Sequence, residues 1–352
     1  MENAPAGVQP DSRANRLVTS TSGETWIQLA KSVAGVLALG VLVIADIAAA
    51  QPDYPSKPIR MIVPNPPGGG VDMMGRIVGQ RLSGSWGQQV IVDNRPGGHG
   101  FIGGQALAKA APDGYTLMAM SSTHIITPLL YPAPYDPIKD FAAVAATARS
   151  NLLLVVHPSL PVRTVKEFIA LAKTKPGELN YGSSGAGSTT RLAGAYFGML
   201  TGTRLQNISY KGSGQVMNDL AGGHIHLAFA VSSPTIPHVL SGKLRAIAVS
   251  GDDRLRALPQ VPTFTQAGLS GFDTNVRGWF GVLAPAGTPK AIIDKVSNEI
   301  TKALTLPDVR ENIIAQGAEP FSSTPEQFAA LMRADTATFG RIIKTANIKA
   351  EE

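Results

Sequence analysis

Four short runs of this 352-residue chain are rich in glycine, in hydroxyl side chains or in both: PNPPGGGVD at 64–72, SSTH at 121–124, SSGAGST at 183–189 and KGSG at 211–214. They share one chemistry. Backbone N–H groups and hydroxyls donate hydrogen bonds, glycine lets an oxygen approach the main chain, and few fixed charges accompany them. If a helix follows each run, its first amides lack an internal acceptor and carry the positive end of the helix dipole. Such a set can receive one or two carboxylates, provided that the runs converge. Asp72 closes the first run and is expected to cap the helix behind it rather than meet a ligand. Arg191 and Lys211 could each pair with a carboxylate or serve an ordinary salt bridge.

Other chemistries find less support. GHGFIG (98–103) fits the dinucleotide fingerprint, but the next strand ends in MAMSSTH, with no carboxylate to hold a ribose. No phosphate-binding G-x-x-x-x-G-K-[ST] run and no G-x-S-x-G elbow occurs. The absence of cysteine excludes thiolate metal sites, disulfides and cysteine nucleophiles. His224 and His226 could face one side of a strand as metal ligands, yet no third ligand lies near them in sequence. His124 beside Ser121 and Ser122 could pair a base with a nucleophile; a contact or turn role is the favoured reading. No metal or cofactor is expected.

Periodicity shows which elements must position the runs. IRMIV (59–63) reads as a buried strand, Met74, Ile77, Val78 and Leu82 recur at helical spacing, QVIVDN (89–94) is a strand, GGQALAKAA (103–111) a helix and YTLMAM (115–120) a strand. The pattern resumes with a strand at 151–158 and a helix around 165–174, opened by Thr164 and Glu167 as a capping box. Strands at 179–182, 205–210, 226–231, 244–250 and 278–285 follow, with helices near 189–200 and 215–221 between the first three. Pro289 stands early in a helix over 289–305, and Thr324, Pro325 and Gln327 open the last long helix with a second capping box. The alternation predicts parallel βαβ units. Each run then lies between a strand end and a helix start, where open α/β sheets bind ligands. The whole reads as two α/β units with a helical tail.

The first fifty residues differ from the rest. Arg13, Arg16 and Lys31 precede the apolar run VAGVLALGVLVIA (33–45), and Ala48-Ala49-Ala50 precede Gln51, which together read as a secretory signal. Thirteen apolar residues fall short of the ~20 that a membrane span needs. Without residues 1–50 the formal net charge moves from +6 to +7, and the basic residues are scattered. That distribution fits a protein collecting anionic small molecules rather than a nucleic-acid groove.

These features resemble the Bug-type extracytoplasmic solute receptors, the substrate-binding proteins of tripartite tricarboxylate transporters. YPSKPIRMIVPNPPGGGVD, VDNRPGGHGFIGG, AKAAPDGYTL, YDPIKDF, LNYGSSGAGS, YKGSG, DLAGGHI and GKLRAIAV carry the resemblance across nearly all of 54–345. It implies an α/β, two-domain, periplasmic-binding-protein-like fold, a flytrap with a cleft between the domains. The first domain would be discontinuous, 51–153 plus 277–352, and the second would span 154–276. It also implies a periplasmic receptor, monomeric by default, that passes a small organic acid to a membrane permease. Matching positions are Asn65, Pro66, Gly68 and Gly69; Ser121, Ser122 and His124; Ser183, Ser184, Gly187 and Ser188; Tyr210, Lys211 and Gly212. Position 65 is usually aromatic in the family. An acidic residue usually follows the strand near 226–230, where this chain has Ala230, Ser232 and Ser233. The ammonium group of an amino acid would find no partner there, which favours a plain carboxylic acid. The alternative is an extracytoplasmic hydrolase using Ser184 or Ser122.

Overall fold

Apolar runs flanked by proline and glycine build two sheets. A computed structural model of the protein describes residues 54–350 apart from 186, 211 and 273–276; the expected leader over 1–50 and Lys211 lie outside the described residues. In chain order the elements are β1 (Ile59–Val63), α1 (Gly70–Trp86), β2 (Val90–Asn94), α2 (Phe101–Ala108), β3 (Thr116–Ser121), α3 (Thr123–Ile126), β4 (Phe141–Ser150), β5 (Leu152–Val156), α4 (Val165–Thr174), β6 (Asn180–Ser183) and α5 (Thr189–Thr201). They continue as β7 (Gln206–Ser209), α6 (Ser213–Ala221), β8 (Leu227–Val231), α7 (Ser232–Leu240), β9 (Arg245–Val249), β10 (Gly278–Pro285), α8 (Lys290–Thr305), α9 (Pro307–Ala315), β11 (Ala318–Pro320) and α10 (Pro325–Thr345).

One sheet has six strands in the order β11-β4-β10-β3-β1-β2, the other five in the order β7-β6-β8-β5-β9. The chain passes between them twice, at Ser150–Leu152 and between Val249 and Gly278. The sheets are mixed rather than wholly parallel. β1 pairs in parallel with β2 and β3, and β6 with β7 and β8, but β10 runs antiparallel to β3 and β4, and β5 antiparallel to β8 and β9. The returning strands are the antiparallel ones, because a strand that arrives from the other sheet needs no crossover helix.

β4 is the longest strand that periodicity misses. Its sequence FAAVAATARS is alanine-rich and intrinsically poor for a strand. It becomes one because β10 and β11 pair with it on either side, and its small side chains let α8 and α10 pack against it. α9 and β11 also go unread in the sequence. The Thr324 capping box forms in full: the Gln327 amide donates to Thr324 Oγ1 at 3.2 Å, and the Thr324 amide donates to Gln327 Oε1 at 3.0 Å. The Thr164 box forms only in part, since Glu167 Oε2 accepts from the Arg163 amide, one residue earlier than expected. Pro289 is the N-cap of α8 rather than its first helical residue.

β5 (LLLVV) is wholly buried because it is packed on both faces. Leu152, Leu154 and Val156 join an apolar cluster that also holds Met118, Phe168, Phe229, Trp279 and Phe328, and therefore runs through both halves. Leu153 and Val155 point the other way, to Val216, Leu220 and Ile225. Trp279 is 2% exposed. Its ring meets Phe328 edge to face at 5.0 Å, and its indole N–H donates to Asp335 Oδ2 at 2.8 Å. Burial pushes the Asp335 pKa up to about 6, against the lowering effect of that hydrogen bond. A raised carboxylate pKa favours the folded state fully below the unfolded value, and the benefit is lost as pH rises through 6. Asp335→Asn keeps an acceptor for the indole and removes the charge. It is expected to stabilise the protein by roughly 1–3 kcal/mol at pH 8, with little change at pH 4, as read by thermal unfolding at the two pH values.

Candidate functional site

β1 and β3 run parallel in one sheet, as do β6, β7 and β8 in the other. Each set therefore delivers its helices to one edge of its sheet: α1 follows β1, and α5, α6 and α7 follow β6, β7 and β8. The edges border one cavity of about 360 Å³. All four expected runs reach it, through Gly68–Gly70, Ser121–Thr123, Ser184 with Ser188–Thr190, and Ser213. Its floor is a row of small residues in register across three strands, Ala318 on β11, Ser150 on β4 and Gly278 on β10. A Cβ placed on Gly278 would lie 3.3 Å from Ser150 Cβ, 3.6 Å from Ser122 Oγ and 3.7 Å from Thr189 Cγ2. The second run, the first chain passage and the third run thus meet within reach of one atom.

Many loop amides are engaged internally. Gly68 N–H donates to Asp72 Oδ2 (2.9 Å), Ser184 N–H to Thr190 Oγ1 (3.0 Å), Ser122 N–H to the Trp279 carbonyl (3.0 Å), Ser188 N–H to the Gly185 carbonyl (3.1 Å) and Tyr210 N–H to the Ser183 carbonyl (2.9 Å). These bonds shape the turns. The remaining donors belong to the helix starts. Among the described residues, no acceptor meets the amides of Gly69, Gly70, Thr189 or Ser213, or the hydroxyls of Ser122 and Ser150, and all six residues line the cavity. No charged side chain lines it among the described residues. Its other lining residues include the apolar Val71, Met73, Val231, Pro234 and Phe280 and the uncharged polar Gln316.

Asp72 does not cap α1. The N-cap is Gly69, which has no side chain, and Asp72 stands three residues further in. From there its carboxylate, 2% exposed, accepts from Gly68 N–H, from Asn94 Nδ2 at 2.9 Å and from Arg76 Nε at 3.0 Å. Burial opposes its charge, but the hydrogen bonds from Arg76, Gly68 and Asn94 prevail and hold the pKa down to about 2. It braces the cradle from behind.

Other expected positions stand off the cavity. Asn65 and His124 border a smaller space of about 30 Å³ with His99 and Tyr135. His124 Nε2 donates to the Pro137 carbonyl at 3.0 Å, and burial drives the imidazole pKa down to about 4. Ser184 Oγ shares a hydrogen bond with Thr190. No serine lining the cavity has a histidine partner among the described residues. Ser183 is fully buried against Asn207, and the Tyr210 hydroxyl donates to Asp219 at 2.7 Å. Gly187 packs on Thr127, whose Oγ1 would lie 2.9 Å from a Cβ there. Pro66 is exposed and does not line the cavity, and neither does Gly212, the N-cap of α6. Ser150, Gly278 and Ala318 escape a reading by motif because they meet only through strand register; the sole clue is their small size. Among the described residues, no group of three histidine or acidic side chains could hold a metal, and no helix is long and apolar enough to cross a membrane.

Comparison with known proteins bears on this geometry. Residues 74–348 match the tripartite tricarboxylate transporter family receptor. The chain belongs to that family. Protein BugT of Bordetella pertussis is 36% identical over 299 residues, covering 84% of this chain and 91% of its own. Among solved structures, R. palustris Rpa4515 with adipate superposes with a TM-score of 0.75 at 34% identity, over 85% of this chain and all of its own. A structure described as a periplasmic transporter gives 0.74 at 39% identity, again over 85% of this chain and all of its own. This receptor accordingly has the two-domain α/β fold of periplasmic binding proteins, and its relatives are solute-binding receptors rather than enzymes.

Proposed function

We propose that this receptor captures a small organic acid in the 360 Å³ cavity and delivers it to the permease of a tripartite transporter. One observation carries the reading: uncommitted donors from both sheets surround a single cavity with no charged wall among the described residues. Gly69 and Gly70 would serve one carboxylate from the first half, Thr189 and Ser213 from the second, with the hydroxyls of Ser122 and Ser150 between them. Helix starts supply partial positive charge without a cation. The adipate-bound relative supports a carboxylate as the ligand class. The lack of an acidic wall favours a plain carboxylic acid over an amino acid. In this reading residues 1–50 direct export to the periplasm, 51–153 with 277–352 and 154–276 are the two lobes, and the receptor acts as a monomer without catalysis.

The test is calorimetric titration of the protein from Gln51 onwards with mono-, di- and tricarboxylates and with aspartate and glutamate. Saturable binding of at least one acid in the micromolar range or tighter is expected, with the amino acids weaker; silence across the panel sinks the proposal. NMR of the bound acid over hours is expected to show it unchanged. Because no described wall residue titrates near neutrality, affinity for an already ionised acid is expected to vary less than about twofold between pH 6.5 and 8.5. A steep pH dependence, read in the same calorimeter, would reveal a titrating group at the ligand.

A further inference from the structure

We propose that Arg277 is a positioning residue for this cleft, a single buried guanidinium that aligns the three strands of its floor. The inference rests on the cavity reading above. Each floor residue has the network beside it in sequence. Glu319 follows Ala318 and accepts from Arg277 Nη2 at 2.6 Å; Asn151 follows Ser150 and accepts from the same nitrogen at 3.3 Å; Arg277 itself precedes Gly278. Nη1 donates to Asp252 Oδ2 at 3.1 Å, just beyond β9. Arg149, on the other side of Ser150, lies 3.8 Å from that carboxylate and stacks 3.9 Å above the Phe321 ring. Both passages of the chain between the sheets therefore meet at one side chain, which is 9% exposed.

Stability is a poor reason for such a group. Arg277 Nε is buried with no acceptor among the described residues, which carries a desolvation cost. Asp252 and Glu319 are 68% and 46% exposed, so both can rehydrate if the arginine is lost. Ion pairs with partners this exposed contribute little net stability in general. What a planar guanidinium supplies is direction, because its N–H groups point along fixed lines. Here those lines run to three different segments, and the small residues beside them leave the space in which an acid would lie.

Arg277→Lys and Arg277→Met test the assignment, with Glu319→Gln as a milder variant on a partly exposed partner. Binding is measured by calorimetry with the unbranched dicarboxylates from succinate to pimelate. Hydrogen exchange of the unliganded proteins is followed over 148–152, 277–281 and 316–320. Dissociation constants at least about tenfold weaker are expected for the arginine variants, with a smaller loss for Glu319→Gln and little change in melting temperature. Exchange is expected to rise in all three segments together while α8 stays protected. Unchanged affinity in the arginine variants overturns the proposal. So does exchange that rises in one segment only, or uniformly across the chain. Should the parent protein bind no acid, the cavity reading fails by itself, and the exchange pattern still decides whether Arg277 aligns the floor.

Discussion

Gly278→Val is expected to weaken acid binding by about 100-fold or more while the protein still folds, the largest effect available from one small side chain. The backbone tolerates the change. Gly278 opens β10 without the positive φ that would demand glycine, and valine suits a strand. The added Cβ meets Ser150 Cβ at 3.3 Å, a tight but yielding contact. Its two methyl groups then extend beyond positions already only 3.6 Å from Ser122 Oγ and 3.7 Å from Thr189. They cover donors from both halves and fill the space between them. Gly278→Ala should fall between glycine and valine. Calorimetry of the three proteins with the same acid, alongside their melting curves, checks the series. Wild-type affinity in the valine variant would place the ligand elsewhere.

Asp72→Ala is expected to lower stability at neutral pH by about 2 kcal/mol and to weaken binding by about tenfold. Its carboxylate holds Gly68, Asn94 and Arg76, and so ties the loop after β1 to the first turn of α1. Without it, the amides of Gly69 and Gly70 lose the brace that aims them. Its depressed pKa fixes the sign of the pH dependence. The carboxylate's contribution is present above the unfolded value of 3.8 and is lost as pH falls through about 2. The stability gap between the two proteins should therefore be full at pH 6 and shrink as pH approaches 2. Chemical denaturation across that range reads the gap; a constant difference would mean that Asp72 acts through packing rather than charge.

Much of this arrangement is legible locally. The βα turns at Pro64, Ser121, Ser183 and Tyr210 announce themselves because each combines a β-rich run, a turn rich in glycine or serine and a helical period, and all three signals lie within about fifteen residues. The capping box at Thr324 is equally local and forms as expected. The errors share a cause. β4 is alanine-rich, and only its pairing with β10 and β11 makes it a strand. Asp72 looks like a cap because acidic residues suit helix starts, yet its partner Asn94 arrives from a different strand. His124, Ser183 and Tyr210 stand close to the expected strand ends, but packing turns their side chains to Pro137, Asn207 and Asp219.

By itself the chain determined the kind of donor and where along its length each would appear, because strand, turn and helix preferences act over neighbouring residues. The family's motifs were also plain in the order of those turns. Tertiary structure alone decided which donors remain open and what they surround. Gly68, Ser184 and Ser188 spend their amides on the turns that contain them, while Gly70, Thr189 and Ser213, from distant helix starts, share one cavity. Its floor exists only through register, since Ala318, Ser150 and Gly278 lie more than one hundred residues apart in places and meet side by side. Spacing along a chain carries no record of that meeting; strand pairing and two passages between sheets create it.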